Sequence, residues 1–179
     1  MMEFRSVEPN DASVIEDLFF SVFAKSEGER EGIMIGRLAR ELSACTNGQD
    51  VKGFVAIDWE QILGAIFFSR LTFNRPLEAF ILAPVAVHNN HQGEGIGQKL
   101  ITHGLYELKL KGVSFVATYG DPTFYSKVGF RSISEDSILP PHKLTQPEGW
   151  LGQSLTDDSL ETISGRFSCV KALDNHVFW

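Results

Sequence analysis

A glycine-rich stretch from Gln92 to Gln98 has the residue types best suited to chemistry. It reads Gln-Gly-Glu-Gly-Ile-Gly-Gln. Glycines let the backbone approach a ligand closely, and the free N–H groups in the first turn of a helix attract an anion. The sequence therefore predicts a phosphate-binding turn over residues 92–98, a name kept for this stretch below.

The segments on either side are predicted to be a buried strand and an amphipathic helix. Residues 79–87 are all apolar or proline, which is typical of a strand covered on both faces. Pro84 has no N–H to donate, so we expect a bulge or a parting of strands there. Apolar residues then recur at helical spacing as far as Gly112, a plausible C-cap.

The spacing of the turn disfavours two well-known phosphate sites. A P-loop requires lysine and then serine or threonine after its last glycine, but Gly97 is followed by Gln98. A dinucleotide fingerprint requires a third glycine at the position of Gln98. A P-loop or Rossmann nucleotide enzyme is therefore not the favoured interpretation.

Other elements follow from hydrophobic periodicity and from turn residues. A first strand is predicted near residues 2–7, and Gly64 predicts a bulge or close approach within a later strand. Helices are predicted over 11–24, 29–44 and 123–128, a hairpin over 51–58 and 61–73, a strand over 113–119, another from Phe130, a loop over 132–149 and a last strand over 165–173.

A second segment resembles a known family when it is taken together with the turn. The turn is similar to the Gln/Arg-x-x-Gly-x-Gly/Ala signature of the GCN5-related N-acetyltransferases (GNAT). Residues 124–130, Phe-Tyr-Ser-Lys-Val-Gly-Phe, resemble the Phe-Tyr-x-Lys-x-Gly-Phe segment of that family, and the preceding Gly-Asp-Pro resembles a YhbS-like subgroup. With both motifs in family order, the chain is identified as a member.

The resemblance implies the GNAT fold. This is an α/β fold with a mixed central β-sheet flanked by helices, in which splayed central strands form the acetyl-CoA cleft. The predicted order of strands and helices follows the family order across almost the whole chain. One domain is expected over residues 1–179, with the main motifs in 2–131 and a C-terminal loop and strands in 132–179.

The resemblance also implies a binding site for CoA. The turn would hold the pyrophosphate, and backbone groups of the preceding strand would bind the pantetheine amides as an added strand would. Glu94 should point to solvent because a pyrophosphate would repel it, and Asp121 would cap a helix or contact the pantetheine. The implied cofactor-binding residues are Val85, Ala86, Val87, Gln92, Gly93, Glu94, Gly95, Ile96, Gly97, Gln98 and Asp121.

Tyr125 matches the general acid of the family, a hydroxyl placed near the departing thiolate. The ordinary pKa values are about 10 for tyrosine and 8.5 for a thiol, so full proton transfer is uphill by roughly 2 kcal/mol. Hydrogen-bond donation is therefore the expected role, and simple packing beside Phe124 and Phe130 is the alternative. Some members carry a catalytic glutamate where Ile81 stands, so no general base is assigned.

Composition limits the partners and cofactors. The net charge is −7 and no lysine–arginine cluster occurs, which argues against nucleic acid or an anionic membrane. Cys45 and Cys169 are isolated, so neither a metal site nor a disulfide is expected. No signal peptide and no membrane-spanning run is recognised, so a cytoplasmic location is expected.

The implied activity is transfer of the acetyl group of acetyl-CoA to a primary amine of a small molecule or peptide by direct attack. Two alternatives stay open: a CoA-binding sensor or scaffold domain without transfer activity, and an acyltransferase that uses a longer acyl-CoA. The sequence specifies neither the acceptor nor the oligomeric state, with a homodimer compatible with it.

Overall fold

The computed structural model describes residues 1–179, which form two compact units. The first unit contains Met1–Phe68 and Pro84–Gly104, and the second contains Ser69–Ala83 and Leu105–Trp179. Every boundary between the units falls inside a strand or a helix. Each unit is therefore built from two separate stretches of chain.

The α-helices agree closely with the predicted periodicity. They are α1 (Ala12–Glu27), α2 (Glu29–Ser43), α3 (Ile96–Leu110) and α4 (Pro122–Tyr125). Gly28, with φ of 103°, alone separates α1 from α2. No helix is long and apolar enough to cross a membrane.

The strands alternate with these helices along the chain. They are β1 (Glu3–Ser6), β2 (Val51–Asp58), β3 (Gln61–Phe73), β4 (Ala79–Val87), β5 (Phe115–Tyr119), β6 (Arg131–Ser132), β7 (Ile138–Leu139), β8 (Trp150–Ser154) and β9 (Gly165–Ser168). Short 3-10 turns lie at residues 9–11, 89–91, 126–128, 147–149, 160–162, 171–173 and 176–178.

In the first unit, helices cover both faces of β3. Phe67 and Phe68 are consecutive in this strand and therefore point to opposite faces. The ring of Phe67 lies 6.2 Å from that of Phe19 on α1. On the other face, a Cβ added to Gly104 of α3 would lie 2.6 Å from the Phe68 ring. The period-2 pattern of one strand thus fixes the positions of two helices.

The β2–β3 hairpin turns at the predicted place. Trp59 and Glu60 have φ values of 48° and 64°, the left-handed conformation that a two-residue hairpin turn requires at both central positions. Strand β1 lies antiparallel to β2, with Phe4 opposite Ala56, and the strand order in this unit is β1-β2-β3-β4.

In the second unit, the first part of β4 pairs with β5 in parallel. Strand β8 lies antiparallel to β5 on its other edge, and β6 lies antiparallel to β8. The last residues of β3 pair antiparallel with β9, which lies parallel to β7. Parallel and antiparallel ladders together confirm the predicted mixed sheet and α/β class.

Two predictions for the last third of the chain are wrong. The strand expected over residues 165–173 ends at Ser168, because the amide of Leu173 bonds the carbonyl of Val170 and closes a 3-10 turn. The segment expected to be a loop over 132–149 contains β7, and the following strand β8 was not predicted. Pairing with β5 and β6 makes β8 a strand, whereas its own residues lack a clear alternation.

Candidate functional site

The phosphate-binding turn lies in the first unit after the end of β4, and its last three residues form the start of α3. The amide of His88 donates to the carbonyl of Leu63 at 2.7 Å, and its Nδ1 accepts from the amide of Asn90 at 3.2 Å. The Asn89 side chain donates to the carbonyl of Ser21 in α1 at 3.2 Å. These bonds fix the direction in which the chain leaves β4.

Two glycines give the turn its shape. Gly93 and Gly95 have φ values of 80° and 79°, the left-handed region that side chains disfavour. A Cβ added to either would meet no atom within 4 Å. The left-handed conformation therefore favours glycine at both positions, because no neighbouring atom of the protein would obstruct a side chain there.

The turn presents backbone amides with no partner in the helix. The first backbone bond of α3 runs from the amide of Lys99 to the carbonyl of Gly95, at 3.1 Å. The amides of Ile96, Gly97 and Gln98 precede this bond and have no acceptor within the helix. They lie at the positive end of the dipole of a 15-residue helix, which suits an anion.

The side chains of the turn serve its own structure. Gln92 donates through Nε2 to the carbonyl of Val87 at 3.1 Å and so ties the turn to the end of β4. Glu94 is 56% exposed, and its carboxylate lies 3.2 Å from Nδ1 of His91. This exposure agrees with the prediction that Glu94 points to solvent.

Strand β4 leads into the turn through three residues of predicted function. Val85 and Val87 are half-buried, and Ala86 between them is buried. The parallel ladder with β5 ends at the pair Leu82–Thr118, and Pro84 comes after that end. The missing N–H of Pro84 therefore removes no bond from the ladder, in agreement with the interruption predicted there.

The second predicted segment lies in the other unit, after β5. Asp121 accepts a hydrogen bond from the amide of Thr123 at 2.9 Å, and Pro122 occupies the first position of α4. Capping by Asp121 is therefore confirmed, while its contact with a cofactor stays a prediction. Gly129, with φ of 95°, ends the segment.

Tyr125 stands at the end of α4 among aromatic rings. Its ring lies edge-to-face with Phe124 at 4.9 Å and with Phe130 at 5.7 Å. Burial raises the pKa of the Tyr125 phenol to about 12; a hydrogen bond with Thr118 acts against this rise, and the charge of Asp121 adds to it. The half-buried phenol therefore stays protonated at neutral pH.

Gly120 allows the ring of Tyr125 to lie where it does. A Cβ at Gly120 would lie 2.7 Å from Cε2 of that ring, closer than real Cβ contacts allow. The Gly-Asp-Pro motif includes Gly120, but the motif did not predict this contact with the ring. The position of Gly120 directly before the capping Asp121 was the available signal.

No carboxylate occupies the position where some family members carry a catalytic base. Ile81 is 2% exposed and apolar, and Glu78 forms an ion pair with Arg70 at 2.6 Å. No group of three or more His, Cys, Asp or Glu side chains is placed to hold a metal ion. The general base stays unassigned.

The chain matches one family model and two N-acetyltransferases of Escherichia coli. The family model described as "Acetyltransferase (GNAT) domain" matches residues 49–132. The uncharacterised N-acetyltransferase YjhQ of Escherichia coli K12 is 30% identical over 172 residues, which cover 93% of this chain and 91% of YjhQ. The uncharacterised N-acetyltransferase YhbS of the same strain is 31% identical over 115 residues, 63% of this chain and 68% of YhbS.

Solved structures agree with these sequence relatives. The structure of Escherichia coli YhbS in complex with CoA superposes with a TM-score of 0.82 at 26% identity, covering 97% of this chain and 92% of that one. A GNAT acetyltransferase from Brucella melitensis in complex with acetyl-CoA gives a TM-score of 0.76 at 25% identity, covering 97% and 99%. The 30% identity with YjhQ, over 93% of this chain and 91% of YjhQ, establishes that the chain belongs to the GNAT family of N-acetyltransferases.

Proposed function

We propose that the protein transfers the acetyl group of acetyl-CoA to a primary amine of a small molecule or peptide by direct attack. The observation that carries this proposal is the row of amides at Ile96, Gly97 and Gln98, which have no acceptor within α3. They follow two glycines in the left-handed conformation and match the family signature. Relatives solved with CoA and with acetyl-CoA support the same ligand here.

In this proposal, the turn binds the pyrophosphate through its backbone. Glycines 93, 95 and 97 allow the close approach, while Gln92 holds the turn on the end of β4. The chain carries a net charge of −7, so attraction of an anion depends on these local dipoles. The backbone groups of Val85 and Val87 bind the pantetheine amides as an added strand would.

Tyr125 supplies a hydrogen bond to the leaving thiolate. Its pKa of about 12 lies well above the value of about 8.5 for a thiol, so complete proton transfer would be uphill by roughly 5 kcal/mol. Donation of a hydrogen bond to the developing negative charge needs no such transfer. The raised pKa therefore favours stabilisation of the thiolate over its protonation.

The reaction needs little further machinery from the protein. A neutral amine attacks the thioester carbonyl, a C–N bond forms and the C–S bond breaks. Holding the two reactants together can account for roughly 7–11 kcal/mol of the barrier. With Ile81 in place of a carboxylate, the amine loses its proton to ordered water.

The deciding experiment is a calorimetric titration with acetyl-CoA and with CoA, followed by an acceptor screen with detection of released thiol. We expect both ligands to bind and at least one primary amine to release CoA. Absence of binding would overturn the proposal. Binding without thiol release for any amine would indicate a sensor or scaffold domain, and faster turnover of succinyl or longer thioesters would indicate a different acyltransferase.

A further inference from the structure

We propose that Gly149 and Tyr119 are positioning residues for Tyr125 and act on it through the backbone of Gly120. The inference rests on the proposed function, in which the Tyr125 hydroxyl assists departure of the thiolate. All four residues lie in the second unit: Tyr119 is the last residue of β5, Gly120 and Tyr125 follow it, and Gly149 directly precedes β8. Neither Gly149 nor Tyr119 belongs to the family motifs described above.

The first contact joins Gly120 to the ring of Tyr125. A Cβ at Gly120 would lie 2.7 Å from Cε2, 3.4 Å from Cδ2 and 3.7 Å from Cζ of the ring. The edge of the ring next to the hydroxyl-bearing carbon therefore rests on the main chain of Gly120. A displacement of the Gly120 backbone would therefore move the Tyr125 ring that packs on it.

The second contact joins Gly149 to Gly120. The amide of Gly120 donates to the carbonyl of Gly149 at 3.0 Å. A Cβ at Gly149 would lie 2.8 Å from the carbonyl oxygen of Gly120 and 3.4 Å from its nitrogen. Because these are backbone atoms, the clash could not be relieved by a side-chain rotation. Gly149 is buried and fixes Gly120 from the side of β8.

Tyr119 secures the other end of the same segment. Its phenolic oxygen accepts from the amide of Gln146 at 2.6 Å, and the carbonyl of Gln146 accepts from the amide of Gly149 at 2.9 Å. Thr145 donates its hydroxyl hydrogen to the carbonyl of Trp179 at 3.2 Å. The Tyr119 hydroxyl, 3.1 Å from Thr145 Oγ1, is then the donor in that pair.

Residues 119–120 and 145–149 are thus joined at two adjacent points. Tyr119 binds the beginning of the second segment, and Gly120 binds its end. A hydrogen bond weakens steeply with distance and angle, and a misplacement of about 1 Å can cost roughly 10²-fold in rate. Residues far along the chain from Tyr125 therefore set the geometry on which its contribution depends.

The test compares Gly149→Ala and Tyr119→Phe with a matched control, Gly152→Ala. Gly152 lies in the same strand region, but its added Cβ would meet the Phe115 ring at 2.7 Å and not Gly120. For each variant, kcat, KM for acetyl-CoA and melting temperature are measured, alone and combined with Tyr125→Phe. Tyr119→Phe removes one oxygen and keeps the ring, so it tests the inference even if Gly149→Ala fails to fold.

We expect Gly149→Ala to lower kcat about 10- to 30-fold and Tyr119→Phe about 3- to 10-fold, with KM for acetyl-CoA changed less than about 2-fold. Gly152→Ala should lower the melting temperature and leave kcat unchanged. In the Tyr125→Phe background, both positioning variants should lose their effect on kcat. Two results would overturn the inference. One is that the positioning variants lower kcat by the same factor in the Tyr125→Phe background as in the original protein. The other is that neither single variant changes kcat.

Titration of the phenol by ultraviolet absorbance separates this inference from the proposed function. The difference between each protein and its Tyr125→Phe partner gives the titration of Tyr125 alone. Displacement of the ring in Gly149→Ala should move its pKa from about 12 towards the ordinary value near 10. This shift is measurable without turnover, so absence of thiol release together with a shifted pKa would reject the proposed function and keep the positioning role.

Discussion

Two regions of the molecule use glycine for different physical reasons. At Gly93 and Gly95 the backbone is left-handed, and the space around each Cα is open. At Gly120 and Gly149, φ lies outside the left-handed region, but an added Cβ would strike neighbouring atoms at 2.7 and 2.8 Å. The phosphate-binding turn therefore needs a conformation, whereas the Tyr125 region needs space.

The two regions also differ in the group they offer to a ligand. In the turn, the groups available to a ligand are backbone amides. The Gln92 side chain holds the turn on β4, and the Glu94 side chain points to solvent. The second region offers one side-chain hydroxyl whose position depends on its packing. Substitutions in the turn should change the affinity for acetyl-CoA, and substitutions around Tyr125 should change kcat.

The largest expected effect is that of Tyr125→Phe. Loss of the hydroxyl should lower kcat roughly 10²-fold, with little change in CoA affinity, because in the proposed mechanism the hydroxyl acts on the leaving group and not on the pyrophosphate. Steady-state thiol release and calorimetry measure the two quantities. Tyr106→Phe is the matched control, since Tyr106 is 60% exposed on α3. A full rate in Tyr125→Phe would return Tyr125 to a packing role.

The next effect is that of Gly95→Val on binding. A β-branched residue in the left-handed region costs about 1–2 kcal/mol, so affinity for acetyl-CoA should fall about 5- to 30-fold. Calorimetry on the folded variant measures this change. Gly112→Val is the control, because Gly112 lies just beyond the other end of α3 with φ of 83° and equally open space. Similar losses of affinity in both variants would contradict a local role for the turn.

A smaller effect is expected for Gly95→Asn. Asparagine adopts the left-handed region more readily than other side chains, and no atom lies within 4 Å of the new Cβ. Affinity for acetyl-CoA should therefore fall less than in Gly95→Val, with the remaining loss due to a side chain where the backbone approaches the pyrophosphate. At Gly120 the same substitution should be no milder than alanine, since the obstacle there is space. If asparagine is as harmful as valine at position 95, the left-handed conformation is not the reason for glycine there.

The smallest effect concerns pH. Because the pKa of Tyr125 is raised to about 12, the donating protonated form persists far above neutral pH. Deprotonation of this group should not lower kcat between about pH 8 and 10, where an ordinary tyrosine begins to ionise. The pH profile of kcat at saturating substrate, compared with that of Tyr125→Phe, measures this. An inflection near pH 10 that disappears in the variant would contradict the raised pKa.

The sequence predicts the turn well because its determinants are local. Glycine spacing, the apolar strand before it and the helical period after it all lie within consecutive residues. The hairpin at Trp59–Glu60 and the cap at Asp121 are local in the same sense. The conformation of each of these features is determined by residues close together in the sequence.

The surroundings of Tyr125 could not be predicted in this way. The contact of Gly149 with Gly120 joins residues that are distant in sequence, and no motif marks it. Strand β8 was missed for the same reason, because its identity comes from its neighbours β5 and β6. Tertiary packing also raises the pKa of the phenol, which residue type alone does not reveal.

The tryptophans of the two units differ in solvent exposure and should therefore differ in fluorescence quenching. Trp59 of the first unit is 90% exposed at the hairpin turn, whereas Trp150 and Trp179 of the second unit are 0% and 3% exposed. A soluble quencher such as acrylamide should therefore extinguish emission from the first unit selectively. Unfolding exposes Trp150 and Trp179 to the quencher, so loss of the remaining emission should report the second unit alone. One fluorescence experiment can then follow the surroundings of Tyr125 separately from those of the turn.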